Sequence, residues 1–259
     1  MKKARPKTTQ RDLDALMAAS IENPALEPVF FRALLDASVY VHSPVRRTSQ
    51  NLQLVTFVAP EGITVIPVFT DLAKAKRASS PKVRIIELTG RELFMATPGA
   101  TFMLNPNDRR CTLYPEEIQS LLETGRVAMF SNEVLPQDVR VAVGAPVEPY
   151  TELTESLSSL IATFHGVGAA YLCDVRPEDK LDEPRLIVAV VGVGLDQERI
   201  GRAIATSLQI GPVKVAVIVD VVFLDAGRPL PQWLAESNIP AFFSSGAAVG
   251  GSTEAPPRP

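Results

Sequence analysis

Apolar residues recur at helical spacing in some stretches of the first half of the chain and crowd into short strand-like runs in others, with turn residues between them. DLDALMAASIENP places Leu13, Leu16, Met17 and Ile21 on one helical stripe with acids between them. It predicts a first helix behind a solvated basic tail bearing Lys2, Lys3, Arg5, Lys7 and Arg11. PVFFRALLDASVYV predicts a proline-initiated helix with Phe30, Phe31, Leu34 and Leu35 turned inward, running into a strand at 39–42. LQLVTFV and ITVIPVFT flank Pro60, Glu61 and Gly62 and so read as a hairpin. Pro67 has no amide hydrogen and is expected on an edge strand or at a bulge. Asp71 is placed to cap a short helix, LAKAKRA, and VRIIEL and TFMLNP predict two further strands. YPEEIQSLLETG predicts a helix with Pro115 at its first position, Glu116 and Glu117 in the positive first turn, and Gly125 as its stop.

Residues 126–138 mix small, polar and proline residues without a period and read as a linker. Beyond them come a strand at 139–143, a helix at 151–164, strands at 167–175 and 185–193, a helix at 197–210 and a strand at 213–223. Leu153, Leu157, Leu160, Ile161 and Phe164 form the apolar stripe of the first of these helices, and Gly166 stops it. The order βαββαβ is that of the ferredoxin-like split βαβ unit. The predicted fold class is α+β: a flexible tail at 1–11, a mixed α/β domain at 12–125, the linker, a ferredoxin-like domain at 139–243 and a disordered small-residue and proline tail at 244–259.

In RLIVAVVGV, Leu186, Val188 and Val190 alternate with Ile187, Ala189 and Val191, so both faces of this strand are apolar. Two helices cover one face of such a sheet, and an open second face would alternate with polar residues. Leu186, Ile187, Val188, Val190 and Val191 are therefore a candidate interaction face, expected to pack against the first domain or a second copy of the chain.

Composition narrows the function. The chain has 259 residues, 46% apolar and 21% charged, as expected of a globular protein with room for two domains. Its 26 basic and 29 acidic residues leave a net charge of -3, which lacks the electrostatic footprint of a nucleic-acid binder. No apolar run reaches the roughly 18 residues of a membrane span. Two cysteines, Cys111 and Cys173, fit a reducing cytoplasm better than a disulfide framework.

VAVVGVGLDQERIGRAIA imitates a dinucleotide loop, but Gln197 stands where the third glycine belongs. Asp196 and Glu198 also bring negative charge to the helix start where a phosphate would sit. Leu195 and Ile200 are placed as a hydrophobic staple around the Asp196 cap, and Asp220 resembles a ribose-binding acid in position only. RLIVAVVGV lacks the aromatics of an RNA-recognition strand. His42 and His165 are too few for a histidine-rich metal site, and no ligand spacing for zinc occurs. His165 reads as a helix cap, His42 as a strand-end candidate and Cys173 as buried; Cys111 follows two arginines that could lower its thiol pKa. No cofactor is implied, and His42, Cys111 and Asp71 are the only residues placed to serve an enzyme.

SVYVHSP, IPVFTDLAKA and FMLNPNDRRCTLYPEEIQSLL resemble the N-terminal domain of the SseB family, named for enhanced serine sensitivity in bacteria, at Val39, Tyr40, Pro67, Phe69, Thr70, Asn105 and Pro106. The βαββαβ run and the closing NIPAFF resemble that family's C-terminal domain. The resemblance implies this two-domain architecture and a bacterial, cytoplasmic setting. The motif residues are expected to shape the end of the N-terminal sheet, without forming a catalytic cleft. Taken together, the chain reads as a non-catalytic interaction or regulatory protein with an unidentified protein partner or a second copy of itself. The alternatives are a small-molecule sensor that binds an amino acid, and an enzyme without a recognisable motif.

Overall fold

A computed structural model describes residues 10–46, 52–60, 62–108, 111–128, 141–177 and 185–245. The basic tail before residue 10, nearly all of the linker and the small-residue tail from 246 onward lie outside these. The chain divides into two units, residues 1–128 and 129–259, each with its own mixed sheet.

The first unit opens with helices α1 (Gln10–Glu22) and α2 (Glu27–Asp36), joined by a single 3-10 turn at Pro24–Leu26. Strands β1 (Ser38–Pro44), β2 (Phe57–Val58) and β3 (Thr64–Phe69) follow, then helix α3 (Leu72–Arg77) and strand β4 (Val83–Thr89). Helix α4 (Gly90–Ala96), strands β5 (Phe102–Leu104) and β6 (Cys111–Leu113), and helix α5 (Pro115–Thr124) complete it. The strand order is β4-β1-β3-β5-β6, with β2 also on β3; β3 and β5 are parallel and the other pairs antiparallel. Phe30, Phe31, Leu34 and Leu35 are all buried, joining Leu13, Met17, Leu93, Phe94 and Leu121 over one sheet face. On the other face α3 sets Ala75 against Tyr40 and Phe69.

Two expectations for this unit are revised. Pro67 is neither on an edge strand nor at a bulge, because β3 lies inside the sheet. Ile66 donates to Thr101 O at 2.9 Å and Val68 O accepts from Asn105 N at 2.8 Å, so these residues face β5 and Pro67 faces the opposite edge. There β1 pairs with β3 at Val68 and Phe69 and β2 at Thr64 and Val65, and the proline falls in the gap between them. The missing donor is placed where no ladder bond is formed. Helix α4 was not anticipated, although Thr89 and Glu92 form a capping box that signals its start. Gly90 is required there, since a Cβ would come within 2.2 Å of Leu34 O on α2.

The second unit contains β7 (Val141–Gly144), α6 (Thr151–Ile161), β8 (Val167–Pro177), β9 (Arg185–Gly192), α7 (Gln197–Ile210), β10 (Ile218–Asp225), α8 (Gln232–Ala235) and β11 (Phe243–Ser244). The βαββαβ element order is present and the unit is α+β, but its strand order is not that of a ferredoxin-like sheet. The order is β10-β9-β8-β11, with β7 also on β8. A split βαβ unit inserts a strand between those joined by each helix. Here α6 joins antiparallel neighbours, β7 and β8, and α7 joins parallel neighbours, β9 and β10. The strand expected at 213–223 is β10, which begins only at Ile218; Val213, Val215 and Val217 before it pack against the helical core without joining the ladder.

Residues of β9 in the candidate interaction face have packing partners within the unit. Leu186, Val188 and Val190 belong to the core beneath α6 and α7, together with Leu157, Ile161, Ile200 and Ile204. On the opposite face Ile187 and Ala189 pack with Cys173, Trp233, Leu234 and Ile239, and Val191 is buried. The sequence after β10 folds back as α8 and supplies a cover from within the unit. The sequence reading missed it because α8 is a single turn in a proline-flanked segment with no sustained period.

Phe69→Ala is expected to lower stability by about 3–5 kcal/mol in a denaturant titration, since the ring is buried between Tyr40 and Ala75. Leu234→Asp should raise the binding of a dye specific for exposed apolar surface while circular dichroism shows the sheet retained. Unchanged dye binding would show that α8 is not the cover.

Candidate functional site

The C-terminal ends of the parallel strands β3 and β5 lie side by side, and the residues that follow them, Thr70 and Asn105, are almost completely buried at 0% and 2% exposure. Asn105 holds a left-handed backbone with φ of 44°, a conformation that asparagine tolerates better than most residues. This turn aims its carboxamide back across the strand ends. Asn105 Oδ1 accepts the Thr70 backbone N–H at 3.1 Å, and Nδ2 donates to Thr70 Oγ1 at 2.8 Å and to Met17 Sδ at 3.4 Å. A hydroxyl has one proton to give, and Thr70 donates its own to Asp14 Oδ1 on α1.

Lys74 on α3 completes the cluster. Its ammonium lies 2.9 Å from Asp14, 3.4 Å from Asp108 and 3.8 Å from Asp71, and 3.4 Å from Thr70 Oγ1. Asp71 also caps α3 by accepting Lys74 N at 2.8 Å, as its position before LAKAKRA predicts. Burial pushes the Asp14 carboxyl up, but the Thr70 hydroxyl, the bond and charge of Lys74 and a hydrogen bond involving Asp71 outweigh it, leaving the group below the ordinary range. A cleft of about 200 Å³ opens beside the cluster, lined by Phe69, Lys74, Arg77, Asn105, Asn107 and Asp108.

The family-type positions thus converge in part. Thr70 and Asn105 form the cluster, Phe69 lines the cleft, and Pro67 sits inside β3. Pro106 follows Asn105 in the turn, Val39 lies in the core on the helical face, and Tyr40 packs on Phe69 from the other face. Of these positions Thr70 and Asn105 lie at the strand ends, and Phe69 and Asn105 border the cleft. His42 is not at an exposed strand end: it is buried in β1, its Nε2 donates to Ala75 O at 2.9 Å, and its ring lies 5.0 Å from that of Phe69. Cys111 is half-buried on β6, and Arg109 and Arg110 lie outside the described residues. Cys173 is buried, and burial pushes its thiol up to about 11. His165 lies in the exposed turn after α6, which ends at Ile161.

The glycines of VGVG have a structural use. A Cβ on Gly192 would come within 2.2 Å of Gly166 O, so the close approach of the two backbones requires glycine there. Asp196 caps α7 by accepting Arg199 N at 3.1 Å, and Asp220 lies 3.7 Å from Arg185. Among the described residues no group of three or more His, Cys, Asp or Glu side chains is set to hold a metal ion, and no helix is long and apolar enough to cross a membrane.

Asp14, Lys74, Asp108 and Arg77 escaped the sequence reading. Asp14 and Thr70 are 56 residues apart, and Asp14 and Lys74 are 60. No local pattern links them; the one local signal is the Asp71 cap, which places Lys74 at the third helical position.

Asn105→Ala should destabilise by about 1–3 kcal/mol for the buried Thr70 N–H left unsatisfied, with about 1 kcal/mol more for the left-handed backbone. Asn105→Gly should lose only the first contribution, so urea titrations of the two variants separate turn strain from hydrogen bonding. Because Asp14 is lowered in the folded state, its stabilisation is present above the unfolded carboxyl value and lost as pH falls through the folded one. Asp14→Asn should therefore flatten the acid limb of the stability profile.

The model of the SseB protein N-terminal domain matches residues 13–120, which include the whole cluster, and that of the SseB protein C-terminal domain matches residues 135–244. Protein SseB of Escherichia coli (strain K12) is 27% identical over 194 residues, covering 72% of this chain and 74% of that protein, and Protein SseB of Shigella flexneri gives the same figures. No solved structure matches the chain. With both domain models matched in order across two adjacent units, the chain belongs to the SseB family.

Proposed function

We propose that this SseB-family protein is a non-catalytic interaction or regulatory protein of the bacterial cytoplasm, and that the cleft at the ends of β3 and β5 is where it recognises a protein partner. The supporting observation is how the polar groups of the cluster are committed. Lys74 is surrounded by three carboxylates, the Thr70 hydroxyl is given to Asp14, the Asn105 carboxamide holds Thr70, and the His42 Nε2 is bonded to Ala75. A general base or nucleophile must have its reactive atom available to substrate, whereas these groups fasten α1, α3 and two strand ends to one another. What faces solvent is the rim, formed by Arg77, Asn107 and Asp108, which presents charge of both signs on a firm base. Neither cofactor nor nucleic acid is required by this reading.

The test is quantitative co-purification from a native host with Arg77→Glu and Asn107→Lys, substitutions at two exposed rim positions outside the Lys74 ion pairs. A protein retained by the unaltered chain should be lost from both variants while their melting temperatures are unchanged. An identical retained set, or turnover of a metabolite that a Thr70 or Asp14 substitution abolishes, would overturn the proposal.

A second reading, recognition of a free amino acid, has a specific observation in its favour. The cleft sets the cations Lys74 and Arg77 beside the carboxylate of Asp108 in a volume that suits a small zwitterion. A millimolar amino acid that raises the melting temperature of the unaltered chain but not of Arg77→Gln supports it; no shift across a full amino-acid panel removes it.

A further inference from the structure

Native sheets protect their edges with short strands, charges, proline or bulges. Among the described residues three of the four sheet edges do so. In the first unit β4 carries Arg84 and Glu87, and β6 has three residues; in the second, one edge is divided between β7 and β11, of four and two residues. The remaining edge is β10, eight residues of sequence IVDVVFLD in unbroken register with β9. It has no proline, lysine or bulge, and among the described residues only β9 pairs with it. Ile218 is 56% exposed. Asp220, the one charge within the strand interior, lies 3.7 Å from Arg185 of β9.

We infer that β10 is a homodimer interface, where two copies of this chain pair their β10 strands antiparallel about a two-fold axis. The backbone fixes the register. Ala226 N donates to Gly192 O at 3.0 Å, so residues of even number face β9 and the N–H and C=O groups of Val219, Val221 and Phe223 face outward. Opposed residues in an antiparallel pair either both face the partner or both face away from it, so an odd-numbered residue must oppose an odd-numbered one, which puts the axis through a residue and not between two. An axis at Val221 sets Val221 against itself, Val219 against Phe223 and Ile218 against Leu224, each an apolar or aromatic cross-strand pair. It also sets Asp220 against Val222, so no acid opposes an acid. Every outward backbone group of these three residues gains a partner, and the contact is self-complementary as a two-fold interface requires.

The test uses the full chain in sedimentation velocity over a micromolar concentration series. The unaltered chain should sediment as a dimer. Val222→Asp sets its new carboxylate against Asp220 across the axis and should sediment as a monomer, whereas Val222→Lys sets an ammonium there and should remain a dimer. The two share one position, so a general folding defect would affect both, and melting curves identify it. Val221→Cys should form a covalent dimer on mild oxidation, because opposed Cα atoms about 5.5 Å apart are within disulfide reach; Val222→Cys should not. A monomeric unaltered chain, a dimer indifferent to the charge at 222, or cross-linking at 222 in place of 221 would overturn the inference.

Discussion

The bond from the Thr70 backbone N–H to the Asn105 carboxamide decides how the first unit ends its sheet. β3 and β5 are parallel, so the chain must leave one and return to the other through β4 and α4, and nothing local holds their ends together. A buried N–H left without a partner there would cost about 1–3 kcal/mol. Asn105 supplies the partner from its left-handed turn and also bonds Met17 of α1 and the Thr70 hydroxyl. One side chain thereby ties two strands to the first helix, and Lys74 adds α3 through Asp14.

From this constraint follows the character of the cleft. Its floor is a saturated network in which each donor has an acceptor within the chain, so it resists rearrangement and leaves chemistry little to work with. Its rim carries Arg77, Asn107 and Asp108, exposed groups of mixed charge. A firm floor beneath an adaptable polar rim suits recognition, because the groups that make contact are separate from those that hold the fold. The second unit is built differently: α7 and α6 cover one sheet face, α8 shields the other, and β10 leaves its backbone edge open.

Elements set by local chemistry were legible in the sequence. Helix α5, with Pro115 at its start and Gly125 at its end, and helix α7 behind the Asp196 cap lie where their punctuation places them. Elements set by distant partners were not. Pro67 signals an edge when read alone, and only the joint placement of β1 and β2 shows how an interior strand accommodates it. The order βαββαβ was readable but the neighbours of each strand were not, since apolar alternation identifies a strand without naming its partner. His42 read as a strand-end group because nothing nearby in sequence shows that Ala75 would close over it. Thr70 and Asn105 were singled out by family resemblance alone; their use became clear once Asp14 and Lys74 were found beside them.

Native-state hydrogen exchange at the Thr70 amide tests this account most directly, since that proton lies outside the regular ladder and is bonded only by the Asn105 side chain. The account predicts protection comparable to the neighbouring strand amides of β1 and β3 in the unaltered chain, and fast exchange at Thr70 in Asn105→Gly while Val41 remains protected. Fast exchange at Thr70 in the unaltered chain, or protection that survives Asn105→Gly, would contradict it.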